Sequence, residues 1–292
     1  MLRVAILGCG ASGGVPLLGG EGERGAWGHC DPAEARNRRT RSSAVVQDAE
    51  GRRLLIDAGL SARALKERLA LCGVNPLEID GILLTHEHGD HVGALEVWCK
   101  QWQTPIYCNR TTAEALQSNG ARPKDWRYFP TGSTFSIKDV TVENFPVPYD
   151  AVDPVGFVLH SGDGTLGVLT DLGKATRLAV ERVRQAQTLL IETNHDEKLL
   201  QNCTKRPWSV KQRIMSQHGH LSNGAAANVI GDLLGGGRLR RTVLGHLSRD
   251  CNSPELATGA VRSRLAADGA EAVEVWCATQ REITPRFAVA GV

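Results

Sequence analysis

No stretch of this sequence comes near the roughly 20 consecutive apolar residues that cross a bilayer, and no repeat or low-complexity linker divides its 292 residues. The first absence excludes a helical membrane span. The second allows one large domain or two small ones, since a chain this long can bury a large core. No Cys-x-x-Cys pair occurs among the eight cysteines, which are scattered at 9, 30, 72, 99, 108, 203, 251 and 277. That scatter argues against a disulfide framework and for reduced thiols, so a cytoplasmic location is expected. The apolar start Leu2–Leu7 is too short for a signal peptide and reads as a first β-strand running into Gly8. What is present is ordinary for a globular protein: 41% hydrophobic and 23% charged residues.

The net charge of +2 is uninformative, but its distribution is uneven. Arg36, Arg38, Arg39 and Arg41 form one basic run and Arg238, Arg240 and Arg241 another, while Lys205, Arg206, Lys211 and Arg213 surround Pro207-Trp208. Such runs are commonly just solvated surface. Beside phosphate chemistry they would grip a polyanion without reading its sequence. Apolar periodicity predicts strands over 2–7, 43–47, 53–57, 80–84, 105–108, 140–147, 155–160, 165–170, 187–192, 241–245 and 272–277. It predicts helices over 61–72, 92–101, 111–118, 174–186, 207–217, 222–234 and 253–267, with Ser61 as an N-cap and Ser253 capping a helix that opens on Pro254. This order suggests two sheets packed face to face with helices outside, in a single domain over residues 1–292.

The densest chemistry lies in Thr85-His86-Glu87-His88-Gly89-Asp90-His91, directly behind the apolar run Ile82–Leu84. In extended geometry His86 and His88 point the same way, and Asp90 and His91 follow a Gly turn. Imidazole nitrogen and carboxylate oxygen suit zinc, manganese or iron, and two such clusters side by side suit a two-metal hydrolase. A shared ligand between two ions is best supplied by a carboxylate. Asp171 follows the apolar strand Val168–Thr170, where it is either that ligand or an ordinary helix-capping Asp. His246 also ends a strand, as a third metal-competent residue at a strand end or as a satisfied structural His.

His86-x-His88-x-Asp90-His91, then Asp171, then His246 resembles the metallo-β-lactamase fold superfamily, most closely its YycJ/WalJ-like nucleases and their PhnP-type and tRNase Z relatives. Asp57-Ala58-Gly59 resembles the superfamily's early Asp motif, which buttresses the metal loop, and Gly8–Pro16 resembles the PhnP-type start. Glu192–Asp196, Gly219–Asn223 and His246–Leu256 resemble YycJ-type segments. The resemblance implies an α+β fold, a four-layer αβ/βα sandwich with metals at one edge of the two sheets. It assigns His86 and His88 to a first ion, Asp90, His91 and His246 to a second, and Asp171 to the bridge between them. It implies in-line hydrolysis of a phosphodiester by metal-bound hydroxide, with Glu192 orienting His220 as general acid. His195 is a rival for that last role. The physical logic is general: a carboxylate fixes the tautomer of an imidazole, and imidazole donates protons near neutrality.

Two departures qualify the resemblance. Where relatives place a His ligand to the first metal, this chain has Tyr149, in Phe145-Pro146-Val147-Pro148-Tyr149-Asp150-Ala151. Tyr149 could coordinate as phenolate, hydrogen-bond a metal-bound water as phenol, or leave the first site empty, so two divalent ions or one are expected. Relatives also carry a structural Cys cluster after Trp-Gly; here His29, Asp31 and Glu34 stand at those positions, where they either bind a harder metal or belong to a loop packed by ordinary contacts, and Cys30 reads as a free thiol. The expected function is a metal-dependent, exonuclease-like phosphodiesterase acting on DNA or RNA. The alternatives are a small-molecule (cyclic or alkyl) phosphodiesterase and a non-catalytic nucleic-acid-binding relative with a degraded first metal site. Neither a membrane partner nor a particular oligomeric state is implied.

Overall fold

The computed structural model describes residues 2–9, 24–25, 28–29, 42–119, 123–162, 164–278, 283–284 and 287–289. The first sheet is built from β1 (Arg3–Gly8), β4 (Ser43–Gln47), β5 (Arg53–Ile56), β6 (Ile79–Leu83), β7 (Ile106–Cys108), β8 (Trp126–Tyr128) and β16 (Phe287–Ala288), in the order β16-β1-β4-β5-β6-β7-β8. A short antiparallel pair, β2 (Arg24–Gly25) with β3 (Gly28–His29), lies outside it. The second sheet comprises β9 (Thr134–Ile137), β10 (Val140–Pro146), β11 (Val155–Ser161), β12 (Gly164–Leu169), β13 (Thr188–Glu192), β14 (Arg241–Gly245) and β15 (Glu274–Cys277). Its order is β15-β14-β13-β12-β11-β10-β9. Each sheet is antiparallel on one side and parallel on the other, and the parallel part includes β5-β6-β7-β8 in one and β12-β13-β14-β15 in the other.

Side-chain alternation explains the layering. In β1, Val4 and Ile6 turn toward the second sheet and meet Phe157, Leu159, Leu166 and Val168, whereas Ala5 and Leu7 turn outward to a helix layer. That outer layer holds α1 (Ala62–Leu71), α3 (Leu95–Gln101) and α4 (Arg110–Ser118), through Leu65, Leu69, Leu95, Trp98, Ala113 and Leu116. On the other side α5 (Arg177–Val183), α8 (Asn223–Leu234) and α9 (Pro254–Ala267) pack Val180, Val183, Ile230, Leu233, Val261 and Leu265 onto Val158, Leu189 and Ile191. The result is the expected four-layer αβ/βα sandwich of the α+β class. Strands buried on both faces read as continuous apolar runs, which is why they were visible in the sequence. Among the described residues no helix is long and apolar enough to cross a membrane.

The expected caps are present: Ser61 accepts from Ala64 N–H, and Ser253 accepts from Leu256 N–H ahead of Pro254. Other boundaries differ. The predicted helix 92–101 is two pieces, α2 (Gly89–Val92) and α3, because Ala94 N–H donates to Ala58 O at 2.8 Å and leaves the helical ladder. The helix predicted over 174–186 begins at Arg177, capped by Thr176 accepting from Ala179 N–H. The helix predicted over 207–217 is α7 (Trp208–Ile214), after which the chain reverses toward His220. Strands β8, β9 and β16 and helix α6 (Glu197–Asn202) were not predicted; each is short and carries few buried residues.

Candidate metal centre

The carboxyl ends of both sheets deliver polar side chains to one place. On the first sheet, Asp57 follows β5 and Thr85 follows β6. Parallel pairing of Ile56 with Leu83 sets them side by side. Asp57 Oδ1 accepts Thr85 N–H at 2.9 Å, and its Oδ2 accepts the Thr85 hydroxyl at 2.9 Å and His91 Nδ1–H at 2.7 Å. Because the Thr85 hydroxyl donates to Asp57, its oxygen accepts His86 Nδ1–H at 2.9 Å. Both rings thus have Nδ1 engaged and Nε2 aimed elsewhere, the arrangement by which outer partners orient ligating imidazoles. Asp57 therefore buttresses the loop as the resemblance implies.

On the second sheet, the parallel register Leu169↔Ile191 and Glu192↔Gly245 brings Asp171, Glu192 and His246 to neighbouring strand ends. Asp171 Oδ2 lies 2.8 Å from His91 Nε2, and its Oδ1 lies 3.5 Å from His246 Nε2. Asp90 Oδ2 is 3.9 Å from both of those imidazole nitrogens. Glu192 Oε2 accepts Leu172 N–H at 3.1 Å. Its Oε1 accepts His246 Nδ1–H at 3.1 Å and stands 2.6 Å from His220 Nδ1. Tyr149 closes the ring of side chains: its hydroxyl is 3.5 Å from His220 Nε2, and its ring lies edge-on to His86 and His88 at 5.1 and 5.3 Å.

Three groups of ligand atoms converge within 4.8 Å: His86, His91 and Asp171; Asp90, His91 and His246; and Asp171, Glu192, His220 and His246. The second group is the one expected to hold one ion. The first takes His91 where His88 was expected: His88 sits at the N-terminal boundary of α2 without a capping side-chain bond, and its ring packs against His86 and Tyr149. His195 is buried but joins none of these groups, and burial drives its pKa down to about 4. His220, not His195, makes the contact with Glu192.

The buried atoms His86 Nε2, His91 Nε2, His246 Nε2, His220 Nδ1 and both Asp171 oxygens make no well-aligned hydrogen bond among the described residues, although Asp171 Oδ2 lies 2.8 Å from His91 Nε2 and Glu192 Oε1 2.6 Å from His220 Nδ1. A buried polar atom left that way costs on the order of 1–3 kcal/mol, so several pointing at one another require another kind of partner. The donor set of imidazole and carboxylate fits a divalent transition metal.

Electrostatics agree. Burial opposes ionisation of Asp171 and Glu192. It is outweighed by His246 and His91 around Asp171 and by His220 and His246 around Glu192, so both carboxyls are held below their usual range. Asp90 is likewise lowered against its burial, chiefly by the neighbouring His246 imidazole and by His91. Burial lowers His86 well below the ordinary imidazole value, with His91 adding to the effect. In His91 and His246 burial is overcome by Asp171 together with Asp57 or Asp90 and Glu192, raising both. Burial, then the charges of Asp171, Glu192 and Asp90, push the Tyr149 phenol upward. The cluster is a buried concentration of carboxylate charge that favours cations.

Backbone strain concentrates here too. Asp57, Asp171 and His246 have φ of 57°, 55° and 59°, the left-handed region, and Lys138 is the one other described non-glycine residue with positive φ. Each such residue costs about 1–2 kcal/mol. The surrounding bonds hold them: Ala58 N–H donates to His91 O at 2.7 Å, and Asn194 Nδ2–H donates to His246 O at 3.2 Å.

Sequence reasoning missed Thr85, Glu87 and Asn194. Glu87 Oε1 accepts Val152 N–H at 3.0 Å and so ties the histidine loop to the Tyr149 loop. Thr85 and Glu87 lay inside the motif, where adjacency was an available signal; for Asn194 no spacing pointed to His246. Residues 10–16, Cys30, Asp31, Glu34 and the Arg36–Arg41 run lie outside the described residues.

Comparison with known proteins agrees with the geometry. The family described as "Beta-lactamase superfamily domain" matches residues 52–247. Exodeoxyribonuclease YycJ of Bacillus anthracis is 34% identical over 220 residues, covering 75% of this chain and 83% of its own. Exodeoxyribonuclease WalJ of Streptococcus pneumoniae strain D39 is 35% identical over 219 residues, covering 74% and 81%. The crystal structure of a diphosphatase from the PhnP family superposes with a TM-score of 0.64 at 19% identity, covering 99% of each chain.

Proposed function

The chain belongs to the beta-lactamase superfamily, and from that premise we propose that it is a metal-dependent phosphodiesterase, an exonuclease-like enzyme acting on nucleic acid. The carrying observation is the convergence on Asp171 of buried ligand atoms that make no well-aligned hydrogen bond among the described residues, beside the Glu192–His220 contact. The exodeoxyribonuclease relatives support the substrate class. Among the described residues, the free thiols at Cys9, Cys99, Cys108, Cys203, Cys251 and Cys277 support a reducing, cytoplasmic setting. Residues 1–292 are taken as one hydrolase domain.

In this reading His86 and Asp171 would hold one divalent ion, with His88 and Tyr149 at its edge, and Asp90, His91, His246 and Asp171 would hold another. Zinc, manganese and iron all match the donors. Such ions, when bound, supply Lewis-acid activation of water and neutralise charge on the phosphoryl group. The remaining steps belong to the chain. Asp57 and Thr85 fix the ring faces of His91 and His86. Glu192 spends one oxygen on Leu172 N–H and presents the other to both His220 and His246. That contact engages His220 Nδ1 and leaves Nε2 to carry the proton. The His220 side chain is 13% exposed, so Nε2 can deliver its proton to a leaving alkoxide.

The test is to load the protein with manganese or zinc and offer a 5′-labelled oligonucleotide and bis-p-nitrophenyl phosphate. Cleavage of both, lost in Asp171→Ala, is the expected result. Cleavage of the small ester alone would turn the reading to a small-molecule phosphodiesterase, and binding without cleavage to a non-catalytic relative. Metal analysis giving under half an equivalent after supplementation would sink the enzyme reading.

A further inference from the structure

Helix α7 has no buried residue, yet it is tethered to three loops that carry the site. Arg213 pairs at 2.7 Å with Asp150, the neighbour of Tyr149. The turn Ser216–Gly219 packs on Gly173, two residues past Asp171, so closely that a Cβ at Gly173 would collide with its backbone. Lys205 and Arg206, just ahead of the helix, reach Asp250 at 2.8 and 3.6 Å, four residues past His246. The helix then leads through Ile214, whose carbonyl accepts His220 N–H at 2.9 Å, into the residue assigned as the acid. These tethers set α7 on the rim of the site.

Its outward surface is aromatic and basic. Trp208 is 60% exposed and Met215 38%, one helical strip with Gln212 between them. Lys205, Lys211 and Arg213 stand around it, Lys205 paired with Asp250 and Arg213 with Asp150, and the exposed Arg249 adjoins Asp250, while the Arg206 side chain is only 11% exposed. The Lys211 ammonium donates to the Gln201 carbonyl at 2.8 Å and has no acidic partner among the described residues. An exposed indole amid cations is the composition that binds single strands: bases stack on the ring while phosphates meet the charges. A two-fold contact with a second copy would set this basic face against itself.

The geometry points to α7 as the docking surface for a single-stranded nucleic-acid end, with Trp208 as the platform on which a base of that end stacks. The inference rests on the nuclease reading above and adds the surface and the strandedness. It applies to an unpaired end because a base must leave its own stack to lie on the indole.

The experiment measures anisotropy of a short dye-labelled single-stranded oligonucleotide with the full-length protein in chelator, where cleavage is absent, for the unaltered protein, Trp208→Ala and Trp208→Phe. Trp208→Ala should weaken binding about tenfold and Trp208→Phe should restore most of it. Lys211→Ala should reduce the slope of log affinity against log salt by about 0.7. In the manganese-loaded protein, Trp208→Ala should raise KM for the oligonucleotide and leave kcat near its original value. Equal binding and equal KM in Trp208→Ala overturn the platform while leaving the nuclease reading intact. A drop in sedimenting mass on the same substitution overturns it in favour of a contact between copies. If the unaltered protein neither binds nor cleaves the oligonucleotide, both readings fall.

Discussion

The two sheets supply the site in different ways. The first contributes His86, His88, Asp90 and His91 from one loop, its rings oriented by Asp57 and Thr85. The second contributes Asp171, Glu192 and His246 from three separate strand ends, and His220 from the turn before α8. A loop can vary as a unit, because its ligands share one backbone and one buttress. Strand ends cannot, because their spacing is the spacing of parallel strands, about 4.8 Å. Asp171 and His246 gain reach toward the first sheet by entering the left-handed region, at φ 55° and 59°. The first half is therefore a local device and the second a product of sheet register.

Four substitutions would sharpen or break this contrast, and the largest effect belongs to the group shared by both halves. Asp171→Ala should lower kcat/KM by about a thousandfold or more, since Lewis-acid stabilisation is worth several kcal/mol and each 1.36 kcal/mol is tenfold. Steady-state kinetics with metal analysis checks it; retained activity at full metal content would separate the halves. His220→Ala should cost about 10²–10⁴-fold on an oligonucleotide, whose alkoxide needs a proton. It should cost far less on bis-p-nitrophenyl phosphate, whose leaving group does not, and equal losses on both esters would place His220 among the metal ligands.

Asp57→Asn addresses the buttress of the first half, with an expected 10–100-fold loss of metal affinity that excess metal restores. Titration with manganese followed by activity reads this directly, and an unaltered midpoint would mean the loop holds its rings without Asp57. The smallest change is expected at Tyr149, which faces the first half from the loop tied down by Glu87. Tyr149→His should raise metal retention after gel filtration toward two equivalents. No gain in retained metal would show that a first-site ion does not reach this position.

Much of the fold was legible because the strands are buried on both faces and read as apolar runs. The short edge strand Trp126–Tyr128 was not, since two of its three residues are exposed and no alternation survives. Helix α6 was hidden for a similar reason: of its six residues only Leu200 is buried, and its cap, Asp196 accepting from Leu199 N–H, marks a start without a pattern to follow. At the site, the histidine loop announced itself by crowding, whereas Asp171 and His246 each also fitted a bland reading and drew weight from family resemblance. The choice between His220 and His195 as partner of Glu192 was open on spacing, His195 being the nearer in sequence.

From its residues alone, then, this chain determined a layered α+β sandwich and a loop at His86–His91 crowded with metal-competent side chains, while the place of Tyr149 was set by the family resemblance. The sandwich and the loop are properties of neighbours along the backbone, carried by periodicity and adjacency. Only the tertiary structure decided which imidazole meets Glu192, that His91 rather than His88 converges with His86 and Asp171, and that α7 borders the site. Those depend on the register of parallel strands and the path of loops between them, and distance along a chain does not encode distance across a sheet.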